Sequence, residues 1–255
     1  KIYKANILTK TMSGIEYSEV APSRGWLKAK SGDREVSFAW PSFQGTHQDC
    51  CQAIAKDKEL VPAEGLDLAI LTNGAYSQNT PQWTSVKGNF RSNWVRAPNR
   101  SLLIPAGHFK GDKQLAGILV ERDLKGNGLS TKMQVPDLYD WKQNDSGIYI
   151  SPDRNASFAP SSSYEGKSFE KDGVAHIHLT SEGAELFAKT AKDAGLKPYN
   201  WLAQRMKEIT STEQRVSLLG ECVGRLGLDG FDWGGDRYGP AFGVSASREA
   251  SAPKI

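Results

Sequence analysis

Long hydrophobic runs are missing from this sequence, and with them any membrane-spanning helix. The longest apolar clusters, "LDLAIL" and "LAGILV", have the length of a strand or a short helix, well below the ~18 residues that a span requires. Cysteine is scarce as well. The three cysteines, two of them adjacent as Cys50 and Cys51, make a poor disulfide framework, because the count is odd and vicinal cysteines seldom close on each other without strain. Reduced thiols in a cytoplasmic, intracellular protein are the expectation. The P-loop pattern, the GxGxxG dinucleotide fingerprint, HExxH and paired CxxC are all absent. Nucleotide-driven, dinucleotide-dependent and zinc-ribbon functions lose their support, and neither a cofactor nor a metal is expected. The opening "KIYKANILTK" has no apolar h-region, so it does not read as an uncleaved signal peptide.

A strong charge of one sign is also lacking. The balance of 32 basic to 29 acidic residues gives +3, too small an excess to identify a nucleic-acid binder by itself. The distribution says more than the sum. From Leu68 to Gly111 there is no Asp or Glu in 44 residues, and that interval carries Lys87, Arg91, Arg96, Arg100 and Lys110 around Phe90 and Trp94. An interval without acids cannot neutralise its own arginines locally. Either distant acids pair with them or a partner does.

What is present suffices for a core. The chain has 255 residues with 38% apolar content and seven tryptophans, which places it at the border between one large domain and two small ones. "GWLKAK" and "EVSFAW" alternate on either side of "SGDR", a turn-forming stretch, and read as a hairpin from Gly25 to Trp40. Period two puts Trp26, Lys28 and Lys30 on one face of its first arm. "GTHQDCCQAIAKDKEL" changes to a helical period that Thr46 can cap. From Leu66 to Thr180 the short segments "LDLAILT", "WTSVKG", "SNWVRA", "SLLIPA", "LAGILVER" and "VAHIHLT" read as strands punctuated by Gly and Pro.

The last third reads as helical: Ser181 to Ala194, a second helix opened by Pro198, and a third from a capping box at Thr210 and Glu213 through to Gly227. The expected fold is therefore α+β, a mainly antiparallel, Gly-rich sheet region followed by a three-helix C-terminal segment. Its expected division is a mainly β domain over 1–180 with one short helix near 46–60, a helical subdomain over 181–243, and a flexible tail over 244–255.

Three constellations bear on function. In the acid-free interval, a strand "SNWVRAP" would show Trp94 beside Arg96, and single-strand binders combine cations for phosphates with aromatic faces for bases. Lys87, Arg91, Arg96 and Arg100 are the expected phosphate contacts and Trp94 the expected stacking residue, with Trp26, Lys28 and Lys30 as a second strip. In "VAHIHLT", strand alternation would put His176, His178 and Thr180 on one face, as an acid–base pair or two metal ligands. That pattern resembles one half of the paired histidine and threonine motifs of two-histidine phosphoesterases, yet neither "GTHQD" nor "AGHFK" supplies the other half. The solvent side of a half-buried strand is the favoured account. The third is "DGFDWGGDRYG", where Asp229, Asp232 and Asp236 have oxygen ligands for a hard cation but the composition of a turn.

Cys51 and His47 stand at helical i, i+4 spacing, with nothing nearby in sequence to orient the imidazole. The leading expectation is a non-catalytic subunit that binds single-stranded DNA or RNA within a larger nucleoprotein assembly, with other protein subunits as partners and no membrane. The alternatives are a structural assembly subunit, such as a virion or tail component, and a phosphodiesterase or nuclease centred on His176 and His178.

Overall fold

The computed structural model describes residues 24–231 and 238–246. Of the sequence features above, Asp232, Asp236 and the part of the tail from 247 to 255 lie outside them. Strands β1 (Gly25–Ser31) and β2 (Arg34–Trp40) form the expected antiparallel hairpin, paired from Gly25 opposite Trp40 to Ser31 opposite Arg34. Gly32 takes the tight turn at φ 57°, a conformation that costs glycine nothing. After the short β3 (Phe43–Gly45), helix α1 (His47–Lys56) opens on a full capping box, in which the Thr46 side chain accepts from Asp49 N and Asp49 reaches back to the Thr46 backbone.

The chain then departs from the expected strands. After β4 (Leu60–Pro62), "LDLAILTNGAYS" is helix α2 (Leu66–Ser77), with nine of its twelve residues buried, and α3 (Pro81–Ser92) follows with Thr80 as its cap and Pro81 in its first turn. An apolar run of this length has no period that separates a buried strand from a buried helix, and packing on all sides selects the helix.

Strand β5 (Val95–Ile104) is buried along all ten residues and pairs with β6 (Gly117–Arg122). Beyond a long loop come β7 (Lys142–Gln143), β8 (Tyr149–Ile150) and β9 (Ala156–Pro160). Helix α4 (Gly173–Leu179) holds "VAHIHL", and α5 (Ser181–Asp193) is the first of the expected C-terminal helices.

The rest of the expected three-helix segment is not there. Pro198 lies in a strand, β10 (Lys197–Asn200), α6 (Trp201–Arg205) has only five residues, and the expected third helix is strand β11 (Glu213–Cys222) turning into β12 (Arg225–Phe231). Val223 and Gly224 form the turn, both at positive φ, 48° and 70°. A β-branched residue there is unusual, so the sequence carries none of the Asn-Gly signal that marks such hairpins. The mixed α+β class with mostly antiparallel sheets stands; the three-helix C-terminal segment does not.

The strands, completed by β13 (Gly239–Ala241) and β14 (Gly243–Ser245), make an eight-stranded sheet in the order β10-β12-β11-β5-β6-β9-β8-β7, a four-stranded sheet β1-β2-β14-β4, and the pair β13-β3. In the large sheet the β10–β12 pair is parallel. Since β11 pairs with β5, residues on both sides of position 180 share that sheet, and β14 brings Val244 against Phe38 of the hairpin.

Both faces of the large sheet are covered. Val95 and Ala97 of β5 pack with α2, α3 and α5, and Leu103 packs with Val174 of α4. Leu102 and Ile104, which point the other way, pack with Phe109 and Met133 from the long loop after β5.

Candidate nucleic-acid interface

Alternation along β1 buries Leu27 and Ala29 and leaves Trp26, Lys28 and Lys30 on the opposite, exposed face. Trp26 is 40% exposed, which is unusual for a residue that normally hides most of its surface. Together with Lys28, Ser37, Lys58, Glu59 and Ser245 it lines an open groove of about 630 Å³ on the four-stranded sheet. Ser37 faces Lys28 across the hairpin, and Lys28 Nζ is 3.3 Å from Glu35. That pair is exposed on both sides, so it is weak and open to exchange for a stronger anion.

The basic segment behaves differently. Lys87 and Arg91 lie on α3: Lys87 Nζ sits 4.9 Å from the Tyr76 ring centre, and Arg91 Nε binds Glu221 at 3.0 Å, the carboxylate that also accepts from Tyr76 at 2.7 Å. Arg100 is 9% exposed; it binds Glu121 at 2.9 Å and donates to Thr131 O at 2.8 Å. Arg96 is 6% exposed. Trp94 is half-buried at φ 57°, edge-on to Trp201 at 5.2 Å, and covers Gly220 so closely that a Cβ there would stand 2.2 Å from its ring. Trp94 and Arg96 therefore do not stand side by side on a surface strand. Acids 130 and 21 residues away in sequence supply counter-charges to Arg91 and Arg100, and of the four expected phosphate contacts only Lys87 and Arg91 remain near solvent.

The histidines of "VAHIHLT" are on a helix because Asp172 caps it, accepting from Val174 N and Ala175 N. Two residues apart on a helix is not one face. His176 bonds Glu170 O at 2.9 Å, and the Thr180 hydroxyl accepts from Gly183 N to start α5. His178 is 1% exposed: Nδ1 donates to Val174 O at 2.8 Å, and Nε2 lies 3.0 Å from Ser217 Oγ, which is 2.9 Å from Ser101 Oγ. Burial pushes His178 down to about 4, so the ring is neutral at neutral pH and accepts from Ser217. The expected solvent-facing strand is thus a sealed hydrogen-bonded cluster.

His178→Ala should cost about 1–3 kcal/mol by orphaning buried hydroxyls, while His176→Asn should change stability little. Urea unfolding of the two variants checks this. Because the folded ring titrates lower than the unfolded one, the His178 contribution is present above about pH 6.5 and is lost as pH falls toward 4.

A second sealed cluster was half legible. Cys51 Sγ lies 3.8 Å from His47 Nε2, as the i, i+4 spacing suggests, but the orienting group is Asp123, with Oδ2 at 3.0 Å from that same nitrogen. Asp123 also accepts from Asn127 N at 2.8 Å and Gly128 N at 2.6 Å. A thiol–imidazole–acid relay needs thiol and acid on different ring nitrogens. Here they share one, and burial pushes Cys51 up to about 12 and Cys50 up to about 11, so neither thiol is a nucleophile at neutral pH. Among the described residues, no group of three or more His, Cys, Asp or Glu is arranged to hold a metal ion, and no helix is long and apolar enough to cross a membrane. Comparison with protein-family models, curated proteins and solved structures found no match to this chain.

Proposed function

We propose that the chain is a non-catalytic subunit that binds single-stranded nucleic acid, in the cytoplasm, as part of a larger nucleoprotein assembly, and that it does so at the groove walled by Trp26 and Lys28. The observation that carries this reading is the exposed indole in one row with Lys28 and Lys30 on its strand face, with Lys58 also lining the groove. Stacking on an aromatic face is tolerant of sequence, and ammonium groups beside it neutralise the phosphates on either side of the stacked base. Lys87 and Arg91 drop out of this groove, because α3 packs its Trp83 against Phe38 on the opposite, core-facing side of the sheet. Arg96, Arg100 and Trp94 drop out of the interface, because the first two are buried and the third is packed against Gly220 and Trp201. Enzyme readings lose ground for a related reason: the two clusters that imitate catalytic sets are sealed from solvent. Free Cys50, Cys51 and Cys222 suit a reducing compartment.

The test is affinity for short single-stranded DNA and RNA across a salt series. Trp26→Ala should weaken binding by about 1–3 kcal/mol and leave the unfolding midpoint unchanged. Lys28→Gln and Lys58→Gln should each reduce the slope of log affinity against log salt by about 0.7. Binding that ignores salt, or no binding with self-association in sedimentation, would hand the chain to the assembly-subunit alternative.

A further inference from the structure

The groove on the four-stranded sheet contains a group that a track for phosphates does not explain. Phe38 of β2 and Val244 of β14 are paired and fully buried, so their chain neighbours Ser37 and Ser245 turn to the other face, where both line the groove. Lys28 stands beside Ser37 across the hairpin. Lys58 and Glu59 join the lining from the turn that leads into β4, a turn fixed to the end of β14 by a hydrogen bond from Ala246 N to Glu59 O at 2.7 Å.

Glu59 is the acid among the described residues that line this groove. Its Oε2 lies 3.8 Å from Nη1 of Arg24, two residues ahead of Trp26 in sequence, and Arg24 itself is bound to Asp57. The carboxylate is thereby tied to the chain that leads into the indole, yet its side chain is 78% exposed, and a contact this long and open is readily exchanged. A carboxylate beside bound phosphates repels them. It adds to affinity only where the ligand offers it a donor, because it accepts hydrogen bonds and gives none. The sugar within a DNA strand has no hydroxyl to offer, whereas each ribose within an RNA strand carries a 2′-OH. Carboxylates take that hydroxyl in nucleotide sites of other folds, with the phosphates bound elsewhere in the same site.

We propose that the groove selects RNA over DNA, with Glu59 accepting from the 2′-OH of the nucleotide whose base stacks on Trp26, while Lys28 and Lys58 hold the adjoining phosphates. Ser37 and Ser245 give that sugar a polar floor, and the open volume of about 630 Å³ admits a nucleotide beside the indole. This inference rests on the nucleic-acid reading of the groove and names the sugar that it takes.

The test compares the affinity of the full chain for oligouridylate and for oligodeoxyuridylate of equal length at one salt concentration, which holds base and charge constant. RNA should bind about tenfold more tightly, the scale of one hydrogen bond to a charged acceptor. A strand with 2′-fluoro in place of the hydroxyl keeps the ribose pucker but lacks the donor, and it should bind as weakly as the DNA. In Glu59→Ala the RNA preference should disappear, and affinity for DNA should rise, because a charge that repels phosphate is gone. Equal affinity for the two sugars, with Trp26→Ala still weakening both, overturns this inference and leaves the nucleic-acid reading standing. Binding of neither strand overturns both. A preference for guanine or cytosine that RNA and DNA share would put Glu59 on a base edge, and that too overturns the ribose assignment.

Discussion

Asp123→Ala should destabilise the protein by about 3–5 kcal/mol, the scale expected when one partner of a buried polar pair is removed. Three donors lose their acceptor together: His47 Nε2 and the amides of Asn127 and Gly128. Asp123 is 2% exposed and His47 1%, so water cannot readily take the vacated place. The loop that follows β6 is also released, because Gly126 and Gly128 lie directly over α1. Asp123→Asn should fall between the two, since its carbonyl can still accept from the loop while the charge facing His47 is gone.

Lowering the pH titrates Asp123 itself. Burial raises the Asp123 carboxyl, but the hydrogen bonds from His47, Gly128 and Asn127 outweigh it and hold the group below the usual carboxylate range. Its contribution is therefore present above the unfolded value near pH 4 and is lost as pH falls through the lower folded value. The stability gap between wild type and Asp123→Ala, read from urea midpoints at several pH values, should be constant at neutral pH and narrow below about pH 4. A gap that widens in acid would mean that Asp123 is not the charged partner in this cluster.

The features that were legible in the sequence are those whose signal is local. "SGDR" between two alternating arms specifies the β1–β2 hairpin, Thr46 specifies the start of α1, and the stripe through Phe187 and Ala191 specifies α5. The exposed face of Trp26, Lys28 and Lys30 follows from period two because β1 turns only Leu27 and Ala29 into the core.

The same rule fails on β5. There both faces are covered, so alternation separates Arg96 and Arg100 from Val95 and Ala97 without placing either set in solvent. In "VAHIHLT" a period-two pattern of histidines competes with a helix cap at Asp172, and the cap wins because it satisfies two amides that would otherwise be buried unpaired. What local reading could not supply are the partners. Glu221 for Arg91, Glu121 for Arg100 and Asp123 for His47 are 130, 21 and 76 residues away. The acid-free interval thus holds an interior strand, with Arg100 paired to a distant carboxylate and Arg96 buried beside it.

Trp83→Ala should cost about 3–5 kcal/mol, the range for truncating a buried large aromatic. Trp83 is 3% exposed and ties three elements together: it projects from α3, meets Phe38 of β2 edge-on at 6.4 Å and 81°, and rests on Gly74 of α2. Gly74 is the shape complement of that ring, because a Cβ there would stand 2.5 Å from its nearest atom. This gives the prediction a second arm whose sign depends on the first. In the wild-type background Gly74→Ala should destabilise, since the ring must shift and the ~1 kcal/mol that alanine gains over glycine inside a helix is smaller than the overlap it creates. In the Trp83→Ala background the methyl enters the space the ring has left. There the same substitution should be neutral or stabilising by up to about 1 kcal/mol. The two changes should therefore couple in a double-mutant cycle of urea midpoints rather than add. Additive effects would show that Trp83 does not rest on α2, and the packing of α3 against the central helix would need another explanation.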